Sequence, residues 1–503
     1  MYARIKRALM KNCFDNDLYL KLQSEKILER TKKFGGKLYL EFGGKLFDDL
    51  HASRVLPGFD PNIKIKLLEK LKDQLEIIIC ISSFDIEKHK IRADHGITYD
   101  MEVLRLIDNL RGVGLSFNSV VITLYENQNA ANVFANTLKN RGIKVYFHTK
   151  TKGYPTDVET IVSDEGYGAN PYIETTKPLV VVTAPGASSG KLATCLSQIY
   201  HENKRGIKAG YAKFETFPVW NLPLKHMVNA AYEAATAEIK DVNMIDPFHF
   251  EAYKKVTVNY NRDIEVFPVL REILHTIIGK VDIYKSPTDM GVNMVASAIT
   301  DEAGVIEASR QEIIRRYYRA VVAQKKGIGT TETAERIRII INEHNIQRAE
   351  RKCIKAAIDK EIATGSPSVA IELPDGTIIT GRKKELISPF TAVVLNTIKH
   401  FAKMGDGINL ISPNILNPIL NYKHNILHYK KPFLSLRDVL AALAVESREN
   451  EFVRSAFETL PMLRGLEAHA TYIPDHSDES MFLKLGVNLT CEPNYITSNL
   501  FDN

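Results

Sequence analysis

Short β-branched apolar runs that alternate with amphipathic helical stretches constrain this chain more than any other feature. The runs KLYLEF (37–42), EIIICIS (76–82), SVVITLY (119–125), KVYFHT (144–149) and PLVVVTA (178–184) are nearly continuous in their apolar character. Helical patterns such as YDMEVLRLIDNLRGVG (99–114) and QNAANVFANTLKNRG (128–142) fall between them. A strand that is apolar on both faces needs cover on both, and strands joined through helices run parallel. The expectation is a multi-layer α/β protein built on a parallel sheet.

Organisation along the chain follows from where that pattern changes. Residues 15–175 read as an N-terminal α/β region. Residues 176–305 form a second α/β region with a P-loop-like strand–loop–helix. Residues 306–365 are strongly helical, with Glu–Arg pairs at helical spacing, and read as a connector. From 366 to 503 a smaller α/β domain is expected, opening with the hairpin SPSVAIELPDGTIITG, whose turn is Pro374-Asp375-Gly376. Residues 1–14 read as a basic extension that supplies Arg4, Lys6, Arg7 and Lys11, four of the six net positive charges.

With those four set aside, the remaining +2 has no basic stripe, so the chain is not expected to bind nucleic acid. No apolar run approaches the ~18–20 residues needed to span a bilayer, so no membrane association is expected. The five cysteines (Cys13, Cys80, Cys195, Cys353, Cys491) never form CxxC and read as reduced thiols of a cytoplasmic protein.

The stretch from Leu179 to Tyr200 carries the chemistry. A buried strand empties into Pro185-Gly186-Ala187-Ser188-Ser189-Gly190-Lys191, and a helix starts at once. Unpaired N–H groups and the helix dipole favour a phosphate there, small residues let the backbone wrap it, and Lys191 adds a point charge. Gly186, Ser188, Ser189, Gly190, Lys191 and Thr194 are therefore the candidate binding set for ATP, another nucleotide or a small phosphorylated ligand. Two positions depart from G-x-x-x-x-G-K-[ST]. Pro185 stands where the first glycine belongs, and Leu192 replaces the hydroxyl that would hold Mg²⁺. Metal would then come from Ser188, Ser189, Thr194 or an acidic residue elsewhere.

Glu215, at the end of IKAGYAKFETF (207–217), is a candidate base for a substrate hydroxyl, against the reading of a solvated strand-end carboxylate. Asp246, ending VNMID, is a candidate Mg²⁺ ligand or base, against an ordinary turn aspartate before Pro247. With Lys191 these form the candidate catalytic set. The polar runs at Asn259–Asp263 and Ser286–Asn293 read as binding loops or as turns. Arg310, Arg315, Arg316 and Arg319 suit an anion-closing lid, but Glu312 four residues before Arg316 makes an exposed ion pair the default. His424 and His428 share a helix face, yet Asn425 breaks H-E-x-x-H, so no metal is assigned. Cys195 has either a dipole-lowered pKa or an ordinary buried position against the sheet.

Longer strings carry a resemblance. TAPGASSGK (183–191), ATCLSQIYHE (193–202), AGYAKFETFPVWNLPLKH (209–226), DVNMIDPFH (241–249) and YKSPTDMGVNM (284–294) resemble a bacterial family catalogued as a domain of unknown function. LYLEFGGKLFDDLHASRVLPGF (38–59) and IVSDEGYGANPYIETT (161–176) match it too, so the resemblance runs from about Phe14 to the C-terminus. It implies a cytosolic α/β protein with a separate C-terminal part, expected to be a homo-oligomer, and brings no reaction or catalytic residue. An apolar residue after the loop lysine is a feature of that family, so Leu192 is not peculiar to this chain. Two functions follow as expectations: a small-molecule kinase or other phosphotransferase, and a non-catalytic nucleotide or phosphometabolite sensor.

Overall fold

The computed structural model describes residues 12–92, 96–215, 217–279, 283–405, 407–431 and 433–496. The cations of the expected basic extension lie outside the described residues. Cys13 and Phe14, expected at its end, are instead fully buried, and Phe14 bridges to Ile299. The chain forms two compact units, one of residues 12–233 and 239–306, the other of residues from 307 onward with the stretch 234–238.

The first unit is built on a seven-stranded parallel sheet. Its strands are β1 (Leu38–Phe42), β2 (Leu75–Ser82), β3 (Phe117–Thr123), β4 (Lys144–Phe147), β5 (Leu179–Thr183), β6 (Gly210–Phe214) and, after a two-stranded ribbon of β7 (Asn243–Ile245) and β8 (Val258–Tyr260), β9 (Gly291–Val292). The order is β9-β6-β1-β5-β2-β3-β4. Every residue of β1, β2 and β5 is buried, as the unbroken apolar runs require. Strands from the expected regions 15–175 and 176–305 thus share one sheet, with β5 inserted between β1 and β2.

Helices α1 (Asn16–Lys33), α2 (Ile63–Lys70), α3 (Tyr99–Gly112), α4 (Asn129–Lys139), α5 (Lys191–Lys204) and α6 (Asn261–Ile278) belong to this unit. Strand alternation assigns them faces. Tyr39 hydrogen-bonds Glu202 of α5 at 2.7 Å, so Tyr39 and Glu41 point to the α5 side. Phe42 points the other way and stacks on Phe214 at 4.2 Å, and Lys64 of α2 lies over the Phe214 ring. From β2 the chain proceeds through β3 to β4, whereas from β5 it crosses β1 to reach β6. Connections therefore leave β2 and β5 in opposite directions, the arrangement that opens a crevice at the carboxyl ends of parallel strands.

The second unit holds a four-stranded mixed sheet of β10 (Ser368–Glu372), β11 (Ile378–Arg382), β12 (Glu467–Ala470) and β13 (Asn488–Cys491), in the order β11-β10-β12-β13. The expected hairpin is β10 paired antiparallel with β11. Helices α7 (Lys352–Thr364) and α8 (Pro389–Phe401) pack on it. The Arg351 guanidinium is wholly buried, reaching Thr490 Oγ1 at 3.0 Å and the carbonyls of Ala468 and Asn488 at 2.8 and 2.6 Å. Its charge is balanced by Glu467.

Candidate functional site

The loop after β5 has the strand–loop–helix geometry the sequence predicts. Gly190 caps α5 at φ +76°, with no side chain closing the helix end, and Lys191 is its first residue. A β-carbon on Gly190 would stand 2.8 Å from Thr123 Cβ, so both backbone angle and space demand glycine there. Ser188 also adopts a positive φ, at +56°. At Gly186 a β-carbon would fall 2.5–2.7 Å from the Tyr99 ring, which lies against the loop.

The hydroxyls divide into two kinds. Ser189 is buried and donates to Gly186 O at 2.9 Å, while its own carbonyl accepts from Thr123 Oγ1 at 2.9 Å. Thr194 is buried against Cys80, with Sγ to Oγ1 at 3.5 Å. Both hold the loop to the sheet. Ser188 is exposed, and the half-buried Lys191 makes no hydrogen bond or ion pair among the described residues.

On the α5 side of β1 and β6 lies a half-buried charged cluster. Lys213 pairs with Asp263 at 2.9 Å and with Glu215, and stands opposite Glu41 in the β1–β6 register. Glu41 accepts from Tyr211 at 2.8 Å. Burial pushes the Glu215 carboxyl up to about 7, with Asp263 and Glu41 adding to the rise and Lys213 opposing it. Burial pulls the Lys213 ammonium down, yet Asp263, Glu215 and Glu41 together hold it above its usual value. The solvated strand-end reading of Glu215 is thus replaced by a largely enclosed carboxyl. Burial drives the Cys80 thiol up to about 12 and Cys195 well above its usual range; at both, Lys191 pulls down and Glu41 pushes up. Cys195 is therefore a buried thiol facing the sheet.

Asp246 is fully buried and caps the helix Pro247–Tyr253 through His249 N at 3.0 Å. Its other oxygen accepts from Asn259 at 3.0 Å and from Thr288 Oγ1 at 2.9 Å. Asn259 is tied into that network, and Ser286 with Asp289 forms a capping box. Asp263, from the same polar run as Asn259, belongs instead to the Lys213 cluster.

Two expectations elsewhere change. Arg316 pairs with Glu312 at 2.8 Å, but Glu312 is wholly buried and not exposed; Arg310 pairs with Glu350. The helix carrying His424 ends at Asn425, and His428 has a left-handed backbone beyond it, so the two imidazoles share no helix face. His424 Nε2 lies 2.7 Å from Lys431 O. Among the described residues no group of three or more His, Cys, Asp or Glu is arranged to hold a metal ion.

Sequence reading missed Glu41, Lys213 and Tyr99. The available signal was Glu41 inside LYLEF and the Lys213/Glu215 spacing inside AKFET: charges two apart share one strand face, and a charge in a buried strand needs a partner.

A family model described as "Domain of unknown function DUF1846, N-terminal" matches residues 12–345, and its C-terminal counterpart matches 349–501. A UPF0371 protein of Clostridium botulinum strain Langeland is 58% identical over 498 residues, covering 97% of this chain and 99% of its own. A UPF0371 protein of strain Alaska E43 is 57% identical over 502 residues, covering 98% of this chain and 100% of its own.

Proposed function

The chain belongs to the DUF1846 family, and from that premise we propose that its first unit binds a nucleotide or other phosphorylated small molecule on Gly186–Lys191 and transfers a phosphoryl group to a substrate hydroxyl. The observation that carries this reading is Lys191, an ammonium without a partner among the described residues, placed directly after a glycine-capped helix start at the carboxyl edge of a parallel sheet. Glu215 is the base: a carboxyl with a pKa near 7 is matched to accepting a hydroxyl proton at neutral pH. As the acceptor oxygen bonds to phosphorus, its proton passes to Glu215, and the bond to the leaving phosphate oxygen breaks with its electron pair.

A second reading is a sensor that binds without transfer. It is favoured by Leu192 and by the engagement of Ser189 and Thr194 within the protein, which leaves Ser188 as the loop's exposed hydroxyl for Mg²⁺. Burial of all five free cysteines, with no disulfide among them, supports placing the protein in the cytoplasm. Among the described residues no helix is long and apolar enough to cross a membrane.

Thermal shift with ATP, GTP, CoA and sugar phosphates, with and without Mg²⁺, separates the readings. A Mg²⁺-dependent shift is expected for transfer, and a Mg²⁺-independent one supports the sensor. No shift with any of these compounds overturns both.

A further inference from the structure

The ribbon of β7 and β8 brings a second set of polar groups to the Lys213 cluster. Val242 N donates to Asn261 Oδ1, and Asn261 N donates to Val242 O, each at 2.9 Å. That clasp fixes the flanking residues Asp241 and Asn243 beside the first turn of α6, where Arg262 and Asp263 reside. Arg262 reaches Asp241 Oδ2 at 3.3 Å. Among the described residues Asp241 Oδ1 has no hydrogen-bond partner although its side chain is only 2% exposed, and Asn243 Oδ1 is likewise buried and unpartnered while its Nδ2 donates to Asn229 O and Glu233 Oε2. Burial lifts the Asp241 carboxyl above its usual value, and Arg262 only partly offsets the rise.

Two buried acceptors without a donor among the described residues, one on each side of the Val242–Asn261 clasp, are costly unless something donates to them. A donor inventory shows what fits. The Lys213 ammonium is committed to Asp263 and Glu215, whereas Arg262 carries five N–H groups, contacts Asp241 alone among the described residues, and has a side chain 51% exposed. The site thus presents orphaned acceptors next to uncommitted guanidinium donors and is open to solvent on the Arg262 side. A hydroxyl donates and accepts at once and so satisfies both. An ammonium group would serve the acceptors, but it would place another positive charge beside Lys213 and Arg262 and leave the guanidinium unmet.

We infer that Asp241, Asn243 and Arg262 form a subsite for a polyhydroxylated small molecule, a sugar or cyclitol, one of whose hydroxyls faces Glu215. The hydroxyl's role as acceptor rests on the phosphotransfer reading; the subsite itself does not, since Lys191 takes no part in it.

The test is isothermal titration of the full chain with D-glucose, D-ribose and myo-inositol, with ethanolamine and putrescine as amine probes. At least one polyol is expected to bind, about tenfold more weakly in Asp241→Asn and in Arg262→Gln. The second variant alters a half-exposed side chain, so it keeps the measurement meaningful if the first fails to fold. Polyol binding unchanged in both subsite variants, binding of amines but of no polyol, or binding of none of the probes overturns the inference. Polyol binding that survives while no phosphorylated compound binds leaves the subsite standing and removes the phosphotransfer reading alone.

Discussion

Lys213 Nζ donates to both carboxylate oxygens of Asp263, at 2.9 and 3.0 Å, while also pairing with Glu215 two residues along its own chain. One ammonium therefore compensates two neighbouring carboxyls and faces a third, Glu41. Lys213→Met is expected to destabilise the first unit by up to about 3 kcal/mol, below the range for breaking a fully buried pair, because the Lys213 and Asp263 side chains stay 21% and 20% exposed. Adding Asp263→Asn should cost less than the sum of the two single changes, because the second removes a charge that the first left unpaired. Denaturant unfolding followed in the single and double variants checks this.

Glu215 makes stability depend on pH in a defined direction. Its folded-state pKa is raised from 4.5 to about 7. Between those values the folded chain keeps a proton that the unfolded chain has lost, so stability falls as pH rises through that window and levels off above it. The slope is at most about 1.4 kcal/mol per pH unit. Glu215→Gln is expected to flatten this part of the profile. Melting temperatures of both proteins at pH 5, 6, 7 and 8 supply the comparison, and parallel profiles would count against a raised carboxyl.

Gly186 and Tyr99 should behave as a coupled pair. Gly186→Ala places a β-carbon 2.5–2.7 Å from the Tyr99 ring and is expected to destabilise by about 1–3 kcal/mol. In a Tyr99→Ala background that collision is gone, so the same substitution should cost little. The thermodynamic cycle of these variants reads the coupling directly.

Lys191→Ala is expected to leave the melting temperature without ligand within about a degree, since the side chain has no partner to lose among the described residues. The shift produced by the phosphorylated ligand should disappear. Gly190→Ala is expected to lose both ligand response and stability, because its φ of +76° and the nearby Thr123 exclude a side chain. Paired melting curves with and without ATP distinguish the two outcomes.

In the second unit, Arg351 holds β12 and β13 through Glu467, Thr490 and two carbonyls. Arg351→Leu leaves Glu467 without its buried partner and is expected to cost about 3–5 kcal/mol. Lysine should rescue only partly, lacking the fork that spans several acceptors. Limited proteolysis should cut the second unit of Arg351→Leu well before that of the natural chain.

Much of the fold was legible because it is locally encoded. EIIICIS and PLVVVTA announce strands buried on both faces, and β2 and β5 are such strands. PGASSGK announces a turn into a helix, and Gly190 with Lys191 starts α5. The cluster was not legible in the same way. Glu215 stood out by its position at a strand end, but Lys213 is balanced by Asp263, fifty positions away along the chain. Asp246 before Pro247 is a local helix-start signal, but nothing local marks its second oxygen as held by Asn259 and Thr288.

By itself, then, the sequence determined which segments become strands, that they run parallel, and where the chain turns into α5. Side-chain periodicity and the backbone angles open to glycine are properties of neighbouring residues. Only the tertiary structure decided that β5 enters between β1 and β2, that Ser189 and Thr194 turn inward, and that Lys213 meets Asp263. Strand order, burial and charge pairing depend on which distant segments share a layer, and electrostatic forces act through space without regard to separation along the chain.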